Sequence, residues 1–380
     1  MMKAAKRLDT VQEYYFSKKL REVRALLAAG KPIINMGIGS PDLQPPQAVI
    51  EAIQQAVLQE GAHKYQSYQG LPAFRQAVAD FYQKNYQVVV NPENEILPLM
   101  GSKEGILHIS MAFLNKGDKV LIPNPGYPTY TSVTNLVEAV PVFYDLTSEH
   151  NWEPNFKQLE QQDLSNVKLM WVNYPHMPTG AKATENLFKK LIAFGKKHQL
   201  LIINDNPYSF VLNNNPLSIL SIDGAKETAI ELNSLSKSFN MAGWRVGMLL
   251  GATPILEEVL KVKTQMDSGM FYGIQQGAIA ALKVSSGWFE NMNEIYQKRR
   301  KLIWQIAEAL DCTFDKNTSG MFVWAKIPAG KKAENIVDDL LYKHHIFIAP
   351  GTIFGSKGEG YIRFSLCVPE EKIKEALDRL

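Results

Sequence analysis

The residue most able to do chemistry is a lysine held between serines, in Asn233-Ser234-Leu235-Ser236-Lys237-Ser238-Phe239, followed by Asn240-Met241-Ala242-Gly243-Trp244-Arg245-Val246-Gly247. An apolar run precedes it and an apolar, glycine-containing stretch follows. A lysine forms a Schiff base only when its amine loses a proton, which requires low dielectric or cationic neighbours. Arg245, eight residues on, supplies positive charge and a planar fork suited to a phosphate. Two further segments invite chemistry. Asp205 follows an apolar run at 200–204, where a carboxylate either caps a loop or meets a buried cation. Gly101-Ser102-Lys103-Glu104-Gly105 offers backbone N–H groups at a helix start, a setting that suits a phosphate. Each has a plainer reading in isolation: a surface lysine, a loop cap, an ordinary helix start.

Elements must bring these residues together. The pattern predicts a helix over residues 10–29, with Leu20, Val23, Leu26 and Leu27 as its stripe and Gly30 as its stop. A short strand over 33–39 then runs into a loop marked by Pro41, Pro45 and Pro46. Helices are expected at 47–58 and 72–85, and strands at 95–100, 119–122, 140–144, 167–172, 200–204 and 229–232. Helical stretches at 105–114 and 184–198 separate some of these strands. Such alternation implies a mostly parallel sheet covered by helices on both faces. Ligands of such sheets sit beyond the carboxyl ends of the strands, where the three segments above fall. A long helix is expected over 274–310, broken near 285–287. The tail mixes strands (322–325, 361–365) with helices (333–344, 370–380), an α+β unit.

Composition bounds the alternatives. The 380 residues are 46% hydrophobic, enough for two cores. A net charge of +3, from 41 Lys and Arg against 38 Asp and Glu, gives no reason to expect nucleic acid or a membrane as partner. Trp171, Trp244, Trp324 and Phe322 sit among apolar residues and read as core. Cys312 and Cys367 cannot make a disulfide framework or a four-cysteine zinc site, and no metal is expected. No apolar run reaches the ~18 residues that span a bilayer. The first twenty residues lack the apolar region of a signal peptide, and Asp9 and Glu13 argue against a transit peptide. A soluble cytoplasmic protein is expected.

In order and spacing, these segments resemble the aspartate-aminotransferase-like family of pyridoxal-phosphate enzymes, fold type I, over about residues 33–365. The match rests on Ser234-Leu235-Ser236-Lys237 with Arg245, on Asn204-Asp205-Asn206-Pro207-Tyr208, on Pro123-Asn124-Pro125-Gly126-Tyr127-Pro128, and on Ala349-Pro350-Gly351 with Tyr361-Ile362-Arg363-Phe364-Ser365. The resemblance implies a large α/β domain over 44–282, and a smaller α+β domain from 1–43 and 283–380. It implies pyridoxal 5'-phosphate as cofactor, with an L-amino acid and a 2-oxo acid as substrates of a ping-pong amino transfer. Lys237 resembles the Schiff-base lysine and proton shuttle, and Asp205 the partner of the pyridine nitrogen. Tyr208 resembles the donor to the ring oxygen, and Tyr127 the tyrosine stacked on the ring. Ser102, Lys103, Ser234 and Arg245 resemble the phosphate cup. Tyr65 resembles the tyrosine that reaches the phosphate from a neighbouring subunit, which implies a homodimer. Arg363, helped by backbone at Gly39, resembles the clamp on the substrate α-carboxylate.

Two departures stand out. Relatives usually carry Asn before Pro-Thr-Gly, as a donor to the ring oxygen; here His176-Met177-Pro178-Thr179-Gly180 puts Met177 there, which has no donor. Either His176 substitutes, or Tyr208 acts alone. Dicarboxylate-specific members use an added Arg from the partner subunit in the segment matching 261–271. None occurs there, and Lys261 or Lys263 lacks the fork to replace it. Asp267-Ser268-Gly269 followed by Phe271 is nearer to the branch holding diaminopimelate and broad-specificity enzymes. A carbon–sulfur β-lyase shares every cofactor residue and is the alternative within the fold. A nicotinamide dehydrogenase is disfavoured because Gly37-Ile38-Gly39 lacks a third glycine and is followed by prolines. A transcription regulator would need a helix-turn-helix that the single leading helix cannot supply.

Overall fold

Val167–Val172 reads Val-Lys-Leu-Met-Trp-Val and is buried at every residue except Lys168. A strand apolar on both faces belongs inside a covered sheet. Leu201–Asp205 and Ala229–Ser234 share that character and flank one another at the centre. The structure, a computed structural model, describes residues 2–10 and 15–380. Its main sheet has seven strands in the order Ile96–Leu99, Gly247–Leu250, Ala229–Ser234, Leu201–Asp205, Val167–Val172, Lys119–Asn124, Val140–Asp145. All neighbours pair in parallel except at Gly247–Leu250, which is antiparallel to both of its partners.

Helices cover both faces, and the apolar residues form one core on each. Phe74, Tyr82, Phe188 and Leu191 lie in one core, with Ile106, Ile109, Tyr130 and Trp171 in the other. A third core gathers Val23, Ile34 and Met36 with residues of the C-terminal segment, among them Tyr296, Trp324, Phe347 and Phe364. There the strands Thr313–Phe314, Phe322–Lys326, Tyr361–Ser365 and Ala349–Pro350 form an antiparallel sheet. Ile34–Asn35 pairs in parallel with Ile346–Phe347, tying the start of the chain to its end.

The expected alternation appears, with differences at particular places. The helix expected over 10–29 is seen as Tyr15–Ala28, its residues 11–14 lying outside the described residues. The long helix expected over 274–310 with a break near 285–287 is seen as Tyr272–Leu282 and Ser286–Ala309, the break falling close to the expected place. The strand expected over 33–39 shrinks to Ile34–Asn35, because pairing stops after Phe347 and the chain turns into the site. Gly247–Leu250, Pro128–Leu136 and Thr253–Lys263 were not expected as elements. The first is a four-residue strand hidden behind the Arg245 motif. The two helices begin at Pro128 and just before Pro254, where proline in the first helical turn is a start signal.

Candidate active site

Strand ends converge on one cavity of about 720 Å³. Ser234 ends the strand Ala229–Ser234, and Lys237 follows three residues later. Asp205 ends the strand Leu201–Asp205, with Tyr208 in the loop beyond. Ser102 opens the helix Ser102–Phe113 directly after Gly101. Lys237, Asp205, Tyr208, Tyr127, Ser102, Lys103, Ser234, Arg245, Gly39 and Arg363 all line the cavity. Tyr65 does not; it stands 90% exposed on the surface of its own chain.

Burial sets the electrostatics. The Lys237 amine donates to the Gly39 carbonyl at 2.5 Å. Its pKa is held below the usual lysine value, chiefly by burial and further by Arg363 and Arg245, although Cys367 opposes them. That favours the neutral amine a nucleophile or base needs. Burial pushes the Asp205 carboxyl up to about 7, and the Glu231 charge adds to the rise. Opposing them, the Tyr130 hydroxyl donates to Asp205 Oδ2 at 2.8 Å. Asp205 Oδ1 is buried without a partner, on a residue that lines the cavity. An orphaned buried carboxylate oxygen needs a donor, and a protonated ring nitrogen is one.

The anion side is built from backbone and charge. Gly101 has φ +91°, and a Cβ there would lie 2.0 Å from Arg245 Nη2, so only glycine lets the guanidinium reach the start of the helix. Arg245 itself adopts φ 56°. The Lys103 amine is held below its usual range by burial and by the neighbouring Arg245, two cations crowded where an anion would relieve them. Across the cavity, Arg363 lies 3.9 Å from the Phe322 ring centroid and 4.5 Å from that of Phe354. It donates to the Gly37 carbonyl at 2.8 Å and to Met177 Sδ at 3.4 Å.

Met177 lines the cavity and His176 does not. The His176 ring pairs through Nδ1 with Thr179 Oγ1 at 2.8 Å, and burial pushes its pKa down to about 3. Substitution by His176 therefore finds no support: the residue does not line the cavity, and its Nδ1 is engaged by Thr179. Lys263 and Lys261 are also engaged elsewhere. Lys263 is fully buried 2.9 Å from Asp267 Oδ1, and Lys261 meets Glu258 at 2.7 Å. Glu104, His108 and Asp267 bring three potential ligand atoms within 4.8 Å of one another, but Lys263 already pairs with that Asp267 carboxylate. Sequence reasoning missed Tyr130 and Asn173. Asn173 donates to the Asp205 backbone carbonyl and accepts from Met177 N at 2.8 Å. Pro128 as a helix start, with Tyr127 and Tyr130 three apart, was the available signal for Tyr130.

Comparison with known proteins decides the family. The profile of aminotransferase class I and II matches residues 31–380. The chain belongs to that family. This aminotransferase is 38% identical to an LL-diaminopimelate aminotransferase of Dehalococcoides mccartyi, over 100% of this chain and 98% of the relative. It is 36% identical to the enzyme of that name from Aquifex aeolicus, covering 100% and 99%. Among solved structures, apo-BacF from Bacillus subtilis superposes with a TM-score of 0.96 at 34% identity, covering 100% and 98%. The alanine aminotransferase of Pyrococcus furiosus gives 0.91 at 25%, covering 99% and 98%. The aminotransferase is a pyridoxal-phosphate-dependent transaminase with an α/β fold of the aspartate-aminotransferase type, moving amino groups between amino acids and 2-oxo acids. The carbon–sulfur lyase alternative is set aside, because both curated relatives named here are transaminases.

Proposed function

We propose that this transaminase acts on an L-amino acid bearing a second carboxylate far from its α-carbon, of the LL-diaminopimelate class, with Lys237 as its catalytic base. One observation carries the assignment of roles: the Lys237 amine, held below its usual pKa, and Asp205, whose Oδ1 is unpartnered, share one cavity with the cations Lys103 and Arg245. When bound, pyridoxal phosphate supplies an electron-withdrawing ring that accepts the electrons left on the substrate Cα. Asp205 would hold the proton on the ring nitrogen. Tyr208 would donate to the ring oxygen, without the Asn that relatives place at Met177, and Tyr127 would be the aromatic partner of the ring. Ser102, Lys103, Ser234 and Arg245 would hold the phosphate and Arg363 the substrate α-carboxylate, with the Gly39 backbone lining the same cavity. The Lys237 amine, neutral and buried in the same cavity, would serve as the general base for the substrate Cα proton. Phe322 and Phe354, packed on Arg363, exclude water from that clamp.

The substrate class rests on the relatives named for LL-diaminopimelate, which align over the whole chain. A homodimer fits the exposed apolar side chains Leu58, Tyr65, Met266 and Phe271, with Tyr65 completing the neighbour's phosphate cup. We also propose a division into a large domain at 44–282 and a smaller one from 1–43 and 283–380, and a cytoplasmic location. No helix among the described residues is long and apolar enough to cross a membrane.

The test is a half-reaction. Cofactor-loaded protein is mixed with single L-amino acids, with no oxo acid present. One equivalent each of 2-oxo acid and aminated cofactor supports the reading, with LL-diaminopimelate among the fastest donors. Repeated turnover with release of ammonia refutes it.

A further inference from the structure

The cavity carries more positive charge than the proposed roles use. Among the described residues five basic side chains line it, Arg24, Lys103, Lys237, Arg245 and Arg363, against one carboxylate, Asp205. The cofactor phosphate accounts for Lys103 and Arg245, the substrate α-carboxylate for Arg363, and Lys237 reacts as a neutral amine. Arg24 is left over. It sits on the helix Tyr15–Ala28, one turn beyond Leu20, which lines the same cavity. That helix is anchored: Val23 is buried in the third core, and Lys19 reaches Asp338 at 3.1 Å on the helix Ala333–Lys343. Among the described residues Arg24 has no carboxylate within 4 Å, and Nε donates to Leu20 O at 3.2 Å within its own helix. Its neighbour Glu22 is taken by Lys19 at 3.0 Å and by the Tyr342 hydroxyl.

We propose that Arg24 is a specificity-determining residue that binds the distal carboxylate of the substrate side chain. This deepens the substrate reading above and rests on it. An exposed guanidinium on a long stem, lining the same cavity as the buried Arg363 guanidinium assigned to the α-carboxylate, favours a long diacid over a short one. It also gives the distal charge a cation within the same subunit, where Lys261 and Lys263 are engaged elsewhere.

The probes are pimelate and heptanoate, seven-carbon acids that differ by one terminal carboxylate. Each is titrated into cofactor-loaded wild type, Arg24→Ala and Arg24→Lys, with binding read by calorimetry and by the cofactor absorbance. The expected result is tighter binding of pimelate than heptanoate by wild type, a loss of about 10–100-fold for pimelate alone in Arg24→Ala, and partial recovery in Arg24→Lys. In turnover, Arg24→Ala raises KM for a dicarboxylic amino acid and leaves KM for 2-aminoheptanoate unchanged. Equal loss for both acids, or no loss for pimelate, overturns the assignment. Circular dichroism of each variant checks its fold. If wild type binds pimelate through Arg24 yet does not accept LL-diaminopimelate, the substrate reading fails and the Arg24 assignment stands.

Discussion

Replacing Asp205 by Asn in the cofactor-free protein strengthens the fold, and does so more at pH 8 than at pH 5. Burial moves this carboxyl from 3.8 to about 7. A raised folded-state pKa means that the fold binds the proton more tightly than the unfolded chain does. The group therefore costs nothing below about pH 4, costs progressively more between 4 and 7, and reaches a plateau above 7. Each tenfold change in ionisation is worth about 1.4 kcal/mol, so the plateau is about 4 kcal/mol and the rise from pH 5 to pH 8 about 3 kcal/mol. Asn keeps an acceptor for the Tyr130 hydroxyl, which now bonds Oδ2 at 2.8 Å, and removes the charge. The assay is guanidinium unfolding of both cofactor-free proteins at the two pH values. The variant should unfold at higher denaturant, with the wider gap at pH 8. An equal gap at both pH values, or a weaker variant at pH 8, would refute the reasoning. With pyridoxal phosphate bound the benefit reverses, and kcat should fall by about 10²–10³, because the ring nitrogen loses its anionic partner.

Arg363→Lys should lower kcat/KM for every amino acid by about 10²-fold, since a point charge cannot grip a carboxylate with two parallel bonds; steady-state kinetics across several donors checks this. Gly101→Ala places a Cβ 2.0 Å from Arg245 Nη2 at a φ of +91°. Cofactor affinity should drop at least tenfold, about 1.4 kcal/mol, read by equilibrium dialysis, while Gly117→Ala, equally strained but in open space, leaves it unchanged. Met177→Asn restores a donor to the ring oxygen and should lower the pH at which the loaded enzyme's absorbance titrates; an unchanged midpoint would show that Tyr208 alone sets it.

The sheet was legible because its strands are buried on both faces and read as short apolar runs, as in Val167–Val172 and Leu201–Asp205. Gly247–Leu250 was not, since four residues carry no period and its reversed direction leaves no trace in composition. The chemistry was legible where one segment carries several groups, as from Ser234 to Arg245. Contacts formed between segments were not. Tyr130 to Asp205 spans 75 residues and Arg363 to Met177 spans 186; a local pattern could place Tyr130 beside Tyr127, but none pairs it with Asp205 or Arg363 with Met177. Arg24 belongs with these, because its helix reads as an ordinary amphipathic one until the fold sets it at the cavity rim.

Chemical trapping tests the central claim most directly. Cofactor-loaded protein is reduced with borohydride, digested and mapped by mass spectrometry. The account predicts a phosphopyridoxyl mass on the peptide containing Lys237, and its absence in Lys237→Ala. The same mass on Lys103 or another lysine, or none on any, would contradict the assignment of Lys237 as the residue that bears the cofactor and moves the proton.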